Sequence, residues 1–363
     1  LNITYQIERN PIINIEYNNK ITNKILCIGD PHLGKVFRTG VPAHRIGERE
    51  EGQYAALRRL LNPTDPLITH IVIMGDLFDK FVVSPTVVLK AVELLQEASN
   101  TNLNVEYYVI PGNHDMTKDT SKKSSYELFH EVFSGEYGIE DCNRNVAFKS
   151  SMLSYIYPDY KNSPDTFVGL YFEAYNAFQV LDYNLEISDH FSKATKKIAF
   201  GHWDSLDILD SGYVPSKSLL DDVDLVISGH EHTYKETKYP DSDTPVLFTG
   251  SLQPYTHAED PDKDIYITVN YDQLSKYNLT KDFMYKCLRI TCKPSFVLSE
   301  PIECLSLSYK VLEEEVKTSV VTTDPEEELS YSDQLVAWLE EQKDMDANVK
   351  KELKTFITKK EYL

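Results

Sequence analysis

Cysteine is scarce in this sequence: five among 363 residues (Cys27, Cys142, Cys287, Cys292 and Cys304), scattered and never in a Cys-x-x-Cys pair. That count and spacing exclude a disulfide framework and a cysteine zinc site, and they fit a reduced, cytoplasmic setting. No apolar run approaches the roughly 18 residues that cross a bilayer, and the N-terminal stretch lacks a signal peptide's apolar core, so no membrane association is expected. Positive charge is short as well, with 37 Lys and Arg against 57 Asp and Glu, a formal net charge of −20. Composition alone therefore argues against a partner held by bulk attraction to phosphates, because such binding rests on clustered Lys and Arg. Internal repeats of about 20 to 50 residues and low-complexity tracts are absent too, which removes solenoids and arrays.

What remains is a globular composition, 41% hydrophobic with 24 Tyr and 15 Phe, in a chain long enough for one large domain and a smaller one. Lys24 to Ile28 is a short apolar run that ends at Gly29-Asp30, the pattern of a buried strand delivering a polar residue at its C-terminal end. The pattern recurs. Ile71 to Met74 ends at Gly75-Asp76, Val105 to Ile110 at Pro111-Gly112-Asn113, Ile198 to Phe200 at Gly201-His202, and Leu225 to Ile227 at Ser228-Gly229-His230. Helical patterns lie between, over Gln53 to Leu61 and Thr86 to Ala98. Strands alternating with helices predict an α/β layered domain whose ligands gather beyond the carboxyl ends of the strands.

The strand-end residues, in order, are Asp30-Pro31-His32, Gly75-Asp76-Leu77-Phe78-Asp79, Gly112-Asn113-His114-Asp115, Gly201-His202-Trp203 and Gly229-His230-Glu231-His232. Carboxylate, amide oxygen and neutral imidazole suit divalent ions such as Mn²⁺, Fe²⁺, Mg²⁺ or Zn²⁺. Seven candidates are too many for one ion, and with one bridging carboxylate they describe a pair about 3.5–4 Å apart, an arrangement suited to phosphoester hydrolysis. One Asp-x-His or His-x-His is weak evidence, and Asn-His-Asp after Pro-Gly suits an ordinary turn. The weight lies in five such motifs, each at a strand end.

This ordered set resembles the calcineurin-like metallophosphoesterase superfamily. Asp30-Pro31-His32-Leu33-Gly34, Gly75 to Asp79, Gly229 to His232 and Thr249-Gly250-Ser251 are similar to the SbcD, or meiotic-recombination, type of DNA-repair nuclease subunit. Gly201-His202-Trp203 and the stretch from Gly250 to Pro261 are closer still to the version carried by tailed phages. The resemblance implies a β-sandwich flanked by helices, with a small capping domain and a C-terminal helical pair. It places Asp30, His32 and His232 on the first metal, Asn113, His202 and His230 on the second, and Asp76 between them. His114 would stand by the scissile phosphate and help protonate the leaving oxygen, with Asp79 or Asp115 orienting its ring. The cofactors implied are two divalent ions, Mn²⁺ foremost, acidifying the attacking water. The activity implied is that of a Mn²⁺-dependent DNA exonuclease and endonuclease subunit. Its partners would be DNA, a second copy of the chain and an SbcC-like SMC-family ATPase.

The expected organisation is an N-terminal extension over 1–21, a nuclease domain over 22–270, a capping domain over 271–312 and an acidic linker over 313–329. A helix-loop-helix over 330–363 would dock the ATPase. Strand-like runs are expected at Tyr285 to Thr291 and Cys304 to Val311. Two departures matter. Pro31 stiffens the first motif without removing a ligand, and Lys80-Phe81 follows Asp79 where protein phosphatases carry Arg-Gly, so a phosphomonoester would lose its guanidinium clamp. The segment from Lys35 to Arg49 is locally basic and reads either as a solvated loop or as a contact to DNA phosphates. His70, His130 and His190 read as packing or surface residues, while His44 and His257 lie in loops that could border the site. Two other readings stand beside the nuclease: a small-nucleotide phosphodiesterase or phosphatase without a DNA partner, and a catalytically silent binding module. Residues 311–363 hold 14 acidic against 7 basic residues, so part of the negative charge is local to the linker and tail.

Overall fold

The computed structural model describes residues 1–312 apart from 118, 120, 134–144, 149–150, 177–188 and 206–212. The acidic linker and the helix-loop-helix of the sequence reading lie outside the described residues. Two six-stranded sheets and one three-stranded sheet carry the fold.

In the first sheet, β1 (Asn2–Tyr5), β2 (Ile12–Tyr17) and β3 (Lys20–Ile28) run antiparallel, and β3 continues in parallel with β4 (Ile68–Ile73), β5 (Glu106–Val109) and β6 (Val146–Phe148). Side chains alternate along a strand, so each parallel strand needs two apolar sets. Leu26, Ile28, Ile71, Ile73, Tyr107 and Val109 face α1 (Glu48–Leu61), α2 (Pro85–Thr101) and α3 (Ser125–Phe133). Ile25, Cys27, Val72, Met74, Tyr108 and Ile110 face the second sheet. The α2 helix starts at Ser84 with Pro85 in its first turn, and it turns Val88, Ala91, Val92 and Leu95 inward at helical spacing.

The second sheet has the order β11 (Lys235–Lys238), β12 (Pro245–Phe248), β10 (Leu225–Ser228), β9 (Lys196–Gly201), β8 (Val168–Glu173) and β7 (Ser151–Ile156). Its inner face, including Val168, Leu170, Phe172, Ile198, Phe200, Ile227 and Leu247, closes the sandwich core. Its outer face packs Tyr171, Ala199, Val226 and Phe248 against Phe191 of α4 (Asp189–Ser192), Leu219 and Leu220 of α5 (Lys217–Asp222), and Trp203. Each fully buried aliphatic side chain in these layers contributes about 1.5–3 kcal/mol. The result is a β-sandwich flanked by helices, a mixed α/β architecture.

Residues 1–21 are integral to it. β2 lies inside the first sheet, and its Ile13 and Ile15 are fully buried in the sandwich core. The third sheet pairs β13 (Tyr266–Asn270), β14 (Cys287–Cys292) and β15 (Ser306–Val311) in parallel around Val269, Leu274, Leu288 and Ile290. It therefore begins at Tyr266, ahead of the boundary after residue 270 drawn from the sequence, because Tyr266–Asn270 carries no polar strand-end motif to mark it.

Candidate metal centre

Parallel pairing within each sheet brings the carboxyl ends of β3, β4, β5, β9 and β10 to one rim of the sandwich. The turns there are tight. His32, Asp76 and His230 all have left-handed backbones, with φ of 46°, 47° and 75°, a conformation that costs a non-glycine residue about 1 kcal/mol or more. Gly75 has φ 107°, and a Cβ on it would stand 2.2 Å from His202 Nδ1, while one on Gly112 would stand 2.2 Å from Asp76 Oδ1. These motif glycines leave the volume that the adjoining side chains fill.

The rim gathers three groups: Asp30, His32 and His232; Asp76, His202 and His230; and His32, Asp76 and His114. His32 Nε2 and His232 Nε2 face each other at 2.9 Å. Asp30 is fully buried; its Oδ1 accepts the His230 amide at 3.1 Å, and its Oδ2 has no hydrogen-bond partner and lies 3.8 Å from His232 Nε2. Asn113 Oδ1 lies 2.9 Å from His202 Nε2 and 3.0 Å from His230 Nδ1. Asp76 spans the two groups, with Oδ1 3.5 Å from His202 Nε2 and Oδ2 3.9 Å from His32 Nε2. Donors about 2.1 Å from an ion at right angles stand about 3 Å apart, the spacing seen here. The orphaned Asp30 oxygen and the opposed imidazole nitrogens fit a pair of divalent cations.

Electrostatics agree. Burial opposes charge on His202, yet Asp76 and Asp30 outweigh it and push the imidazole up to about 10. Burial likewise opposes ionisation of Asp76, but His202, His32 and His114 hold it below the usual carboxylate range. Burial raises Asp30, with His202 opposing. Without an ion, a proton on His202 supplies the positive charge that the two carboxylates require.

Several supporting groups carry no motif in the sequence. His202 Nδ1 donates to the Met74 carbonyl at 2.8 Å, His230 Nε2 meets Asp204 Oδ1 at 2.8 Å, and His232 Nδ1 meets Glu259 Oε1 at 3.3 Å. Each ring is thereby fixed with its other nitrogen toward the centre. Asp204 follows the Gly201-His202-Trp203 motif directly and was findable as a polar continuation of it, whereas Glu259 comes from a separate loop. Asp204→Asn and Glu259→Gln are each expected to weaken uptake of one Mn²⁺ by about 10- to 100-fold, read by calorimetric titration.

His114 stands on the open side, its side chain 42% exposed, with Nε2 3.9 Å from Asp76 Oδ2. Its ring is oriented by a carbonyl and not by a carboxylate: Nδ1 donates to the Asp79 backbone oxygen at 2.6 Å. The Asp79 side chain instead pairs with Lys35 Nζ at 3.0 Å. Asp115 is fully buried and accepts the amides of Gly112, Leu77 and Phe78, stapling the second motif to the third. Burial and Asp76 push Asp115 up to about 7 against those three amides.

The basic segment is largely engaged internally. Lys35 pairs with Asp79, Arg45 with Glu48 and Glu303, and Arg49 stacks 3.6 Å over the Phe37 ring and donates to the Tyr266 hydroxyl. Arg38 alone of the four is exposed without a partner among the described residues. His44 meets Glu303, and His257 lies edge-on to Tyr266, so neither joins the ligand groups.

Strand-end carboxylates and imidazoles from two sheets, gathered around Asp76, are a donor set suited to metal-dependent hydrolysis. A family model for calcineurin-like phosphoesterases matches residues 23–234, more than half of the chain, and the chain belongs to that family. The matched span contains all seven candidate ligands and His114, and it leaves Glu259 outside. No curated protein matches the chain. Among solved structures it is similar to GAP50, the anchor in the inner membrane complex of Plasmodium, at 16% identity, covering 63% of this chain and 71% of that one. The TM-score of 0.35 is too low for that likeness to carry an argument. No helix among the described residues is long and apolar enough to cross a membrane.

Proposed function

We propose that the chain is a Mn²⁺-dependent DNA phosphodiesterase, the nuclease subunit of an SbcCD-like complex that processes DNA ends in repair or phage recombination. The observation that carries this reading is the pair of ligand groups sharing Asp76, with His114 at the head of an open groove. That groove has a volume of about 600 Å³ and is lined by Asp79, Lys80, Phe81, Asn113, His114, Met116, Thr117 and Lys122. Lys80 is exposed and has no partner among the described residues. A terminal phosphomonoester wants a forked guanidinium, which the residues after Asp79 do not supply. An open groove that borders His114 and carries Lys80 suits a diester flanked by further phosphates.

In this reading Asp30, His32 and His232 would hold one ion and Asn113, His202 and His230 the other, with the Asp76 carboxylate available to both. Bound there, two divalent cations would supply Lewis acidity toward the phosphoryl oxygens and acidify water. The chain's own part is orientation and proton transfer. Asp204, Glu259 and Met74 hold the imidazoles in their ligating tautomers, and the carbonyl of Asp79 keeps the proton on His114 Nδ1. The leaving oxygen would take its proton from Nε2 of the doubly protonated ring, which returns to the neutral form with its remaining proton on Nδ1. Docking of residues 330–363 on an SMC-family ATPase, and dimerisation, belong to the same proposal.

The test compares a plasmid-length duplex and single strands with a small aryl phosphodiester, all in Mn²⁺. DNA should be the better substrate by kcat/KM, and preference for the small diester would favour the nucleotide phosphodiesterase reading. Lys80→Glu should raise KM for DNA several-fold and lower the salt slope of binding by about one, with a smaller loss on the small diester.

A further inference from the structure

Arg9 and Asn10 lie in the turn between β1 and β2, and all the segments they touch except Gly29 are more than 200 residues away. Arg9 Nη1 donates to the Ser251 carbonyl at 2.9 Å, to Ser251 Oγ at 3.0 Å and to the His232 carbonyl at 3.3 Å, while Nη2 donates to the Glu259 carbonyl at 2.5 Å. Its guanidinium also lies 5.8 Å from the Tyr234 ring centroid. Asn10, with a left-handed φ of 52°, donates its backbone amide to Thr249 and its side-chain amide to Leu252, both at 3.0 Å. Its Oδ1 accepts the Gly29 amide at 2.9 Å, one residue before Asp30.

Every one of these contacts ends on a segment that presents or orients the group Asp30, His32 and His232. Arg9 grips the backbone of His232 itself and the backbone of Glu259, whose carboxylate meets His232 Nδ1. Asn10 ties the strand end before Asp30 to the stretch 249–252. A forked guanidinium can span two loops at once, which a lysine ammonium cannot do with the same geometry. Nothing comparable from this turn reaches the side chains of His202, His230 or Asn113 among the described residues; His202 is held by the Met74 carbonyl and His230 by Asp204.

We infer that Arg9 is a positioning residue for one of the two ions: with Asn10 it sets the His232–Glu259 pair against Asp30, and it leaves the Asn113–His202–His230 group alone. The inference rests on the two-metal reading above. It gives the N-terminal hairpin a site-specific task, and it predicts that the two ions respond differently to one substitution.

The experiment titrates the full chain, first stripped with chelator, with Mn²⁺ alone, by calorimetry and by the electron paramagnetic resonance of free and bound ion. Wild type should take up two ions. Arg9→Met should weaken one of them by about 10- to 100-fold, on the scale of other groups that orient ligands, and leave the other within about twofold. Arg9→Lys should restore part of the loss, and added guanidinium should restore part of it in Arg9→Ala. Arg9→Met and Glu259→Gln should be non-additive in affinity for the same ion, whereas Arg9→Met and Asp204→Asn should add. Two ions bound by Arg9→Met with wild-type affinities would overturn the inference. Equal weakening of both ions in Arg9→Met and Arg9→Lys, in step with a lower melting temperature, would also overturn it by showing a general packing role. Failure of wild type to bind any Mn²⁺ would instead remove the two-metal reading, and the inference with it.

Discussion

Replacing His114 with alanine should lower hydrolysis by about 10²- to 10⁴-fold while Mn²⁺ uptake stays at two ions, because the side chain supplies a proton and no ligand that the centre lacks. The geometry gives this expectation its asymmetry. Nδ1 is committed to the Asp79 carbonyl, and the groups Asp30, His32, His232 and Asp76, His202, His230 are complete without Nε2, which stands 3.9 Å from Asp76 Oδ2. The ring is also 42% exposed, so truncation opens little internal volume and the fold should survive. Rate and bound metal, measured on the same preparation, separate the two effects. Loss of an ion together with the activity would make His114 a ligand, and normal DNA cleavage would remove it from the mechanism. The leaving group sharpens the test, since a diester with a good leaving group needs less protonation and should suffer less from the substitution.

Asp76→Ala should abolish both activity and two-ion binding, and its effect on the metal-free fold should depend on pH. Asp76 is buried at 2% exposure, accepts the His114 amide at 2.8 Å and faces His202 and His32 from opposite oxygens. Removing one partner of a buried pair costs about 3–5 kcal/mol because the other charge is left uncompensated. In the metal-free protein that partner is His202, raised to about 10 from an ordinary value of 6.5. A raised imidazole adds stability that is complete below the unfolded value and lost as pH climbs through the folded one. The variant's deficit against wild type should therefore be largest near pH 6 and shrink as pH rises toward 10. Urea unfolding in chelator at pH 6 and pH 9.5 reads the difference; a deficit that grows with pH would contradict the pairing. With Mn²⁺ present, wild type should release a proton on loading at neutral pH, since a ligating imidazole must be neutral.

The sandwich and its rim were legible because a parallel strand buried on both faces must be apolar throughout and must end abruptly. Leu26, Cys27 and Ile28 before Gly29-Asp30, or Val226 and Ile227 before Gly229-His230, announce both the strand and the group it delivers. What escaped the sequence depends on contacts between distant segments. Arg9 belongs to no motif, and only the folded chain shows it crossing to residues 232, 251 and 259. Arg45 and Arg49 counted as a basic patch, yet Glu48, Glu303, Phe37 and Tyr266 occupy them. Orienting groups for such rings are commonly carboxylates, which makes Asp79 and Asp115 the natural candidates in the sequence, while the fold puts the main-chain oxygen of Asp79 against His114 Nδ1. Tyr266–Asn270 was absorbed into the larger domain since an edge strand of mixed polarity has no motif of its own.

The candidate ligands come from both halves of the sandwich: Asp30, His32, Asp76 and Asn113 from the first sheet, His202, His230 and His232 from the second. Each proposed ion would then be a rivet through the seam between two sheets that meet through apolar side chains such as Ile25 and Phe200 and through a few hydrogen bonds such as that from His202 Nδ1 to the Met74 carbonyl. Its binding energy would become cohesion of the whole fold, amounting to about 2.7 kcal/mol at a hundredfold excess over the dissociation constant. Loss of metal would thus loosen the same seam that aligns the reacting groups, so that durability and catalysis in this chain rise and fall together.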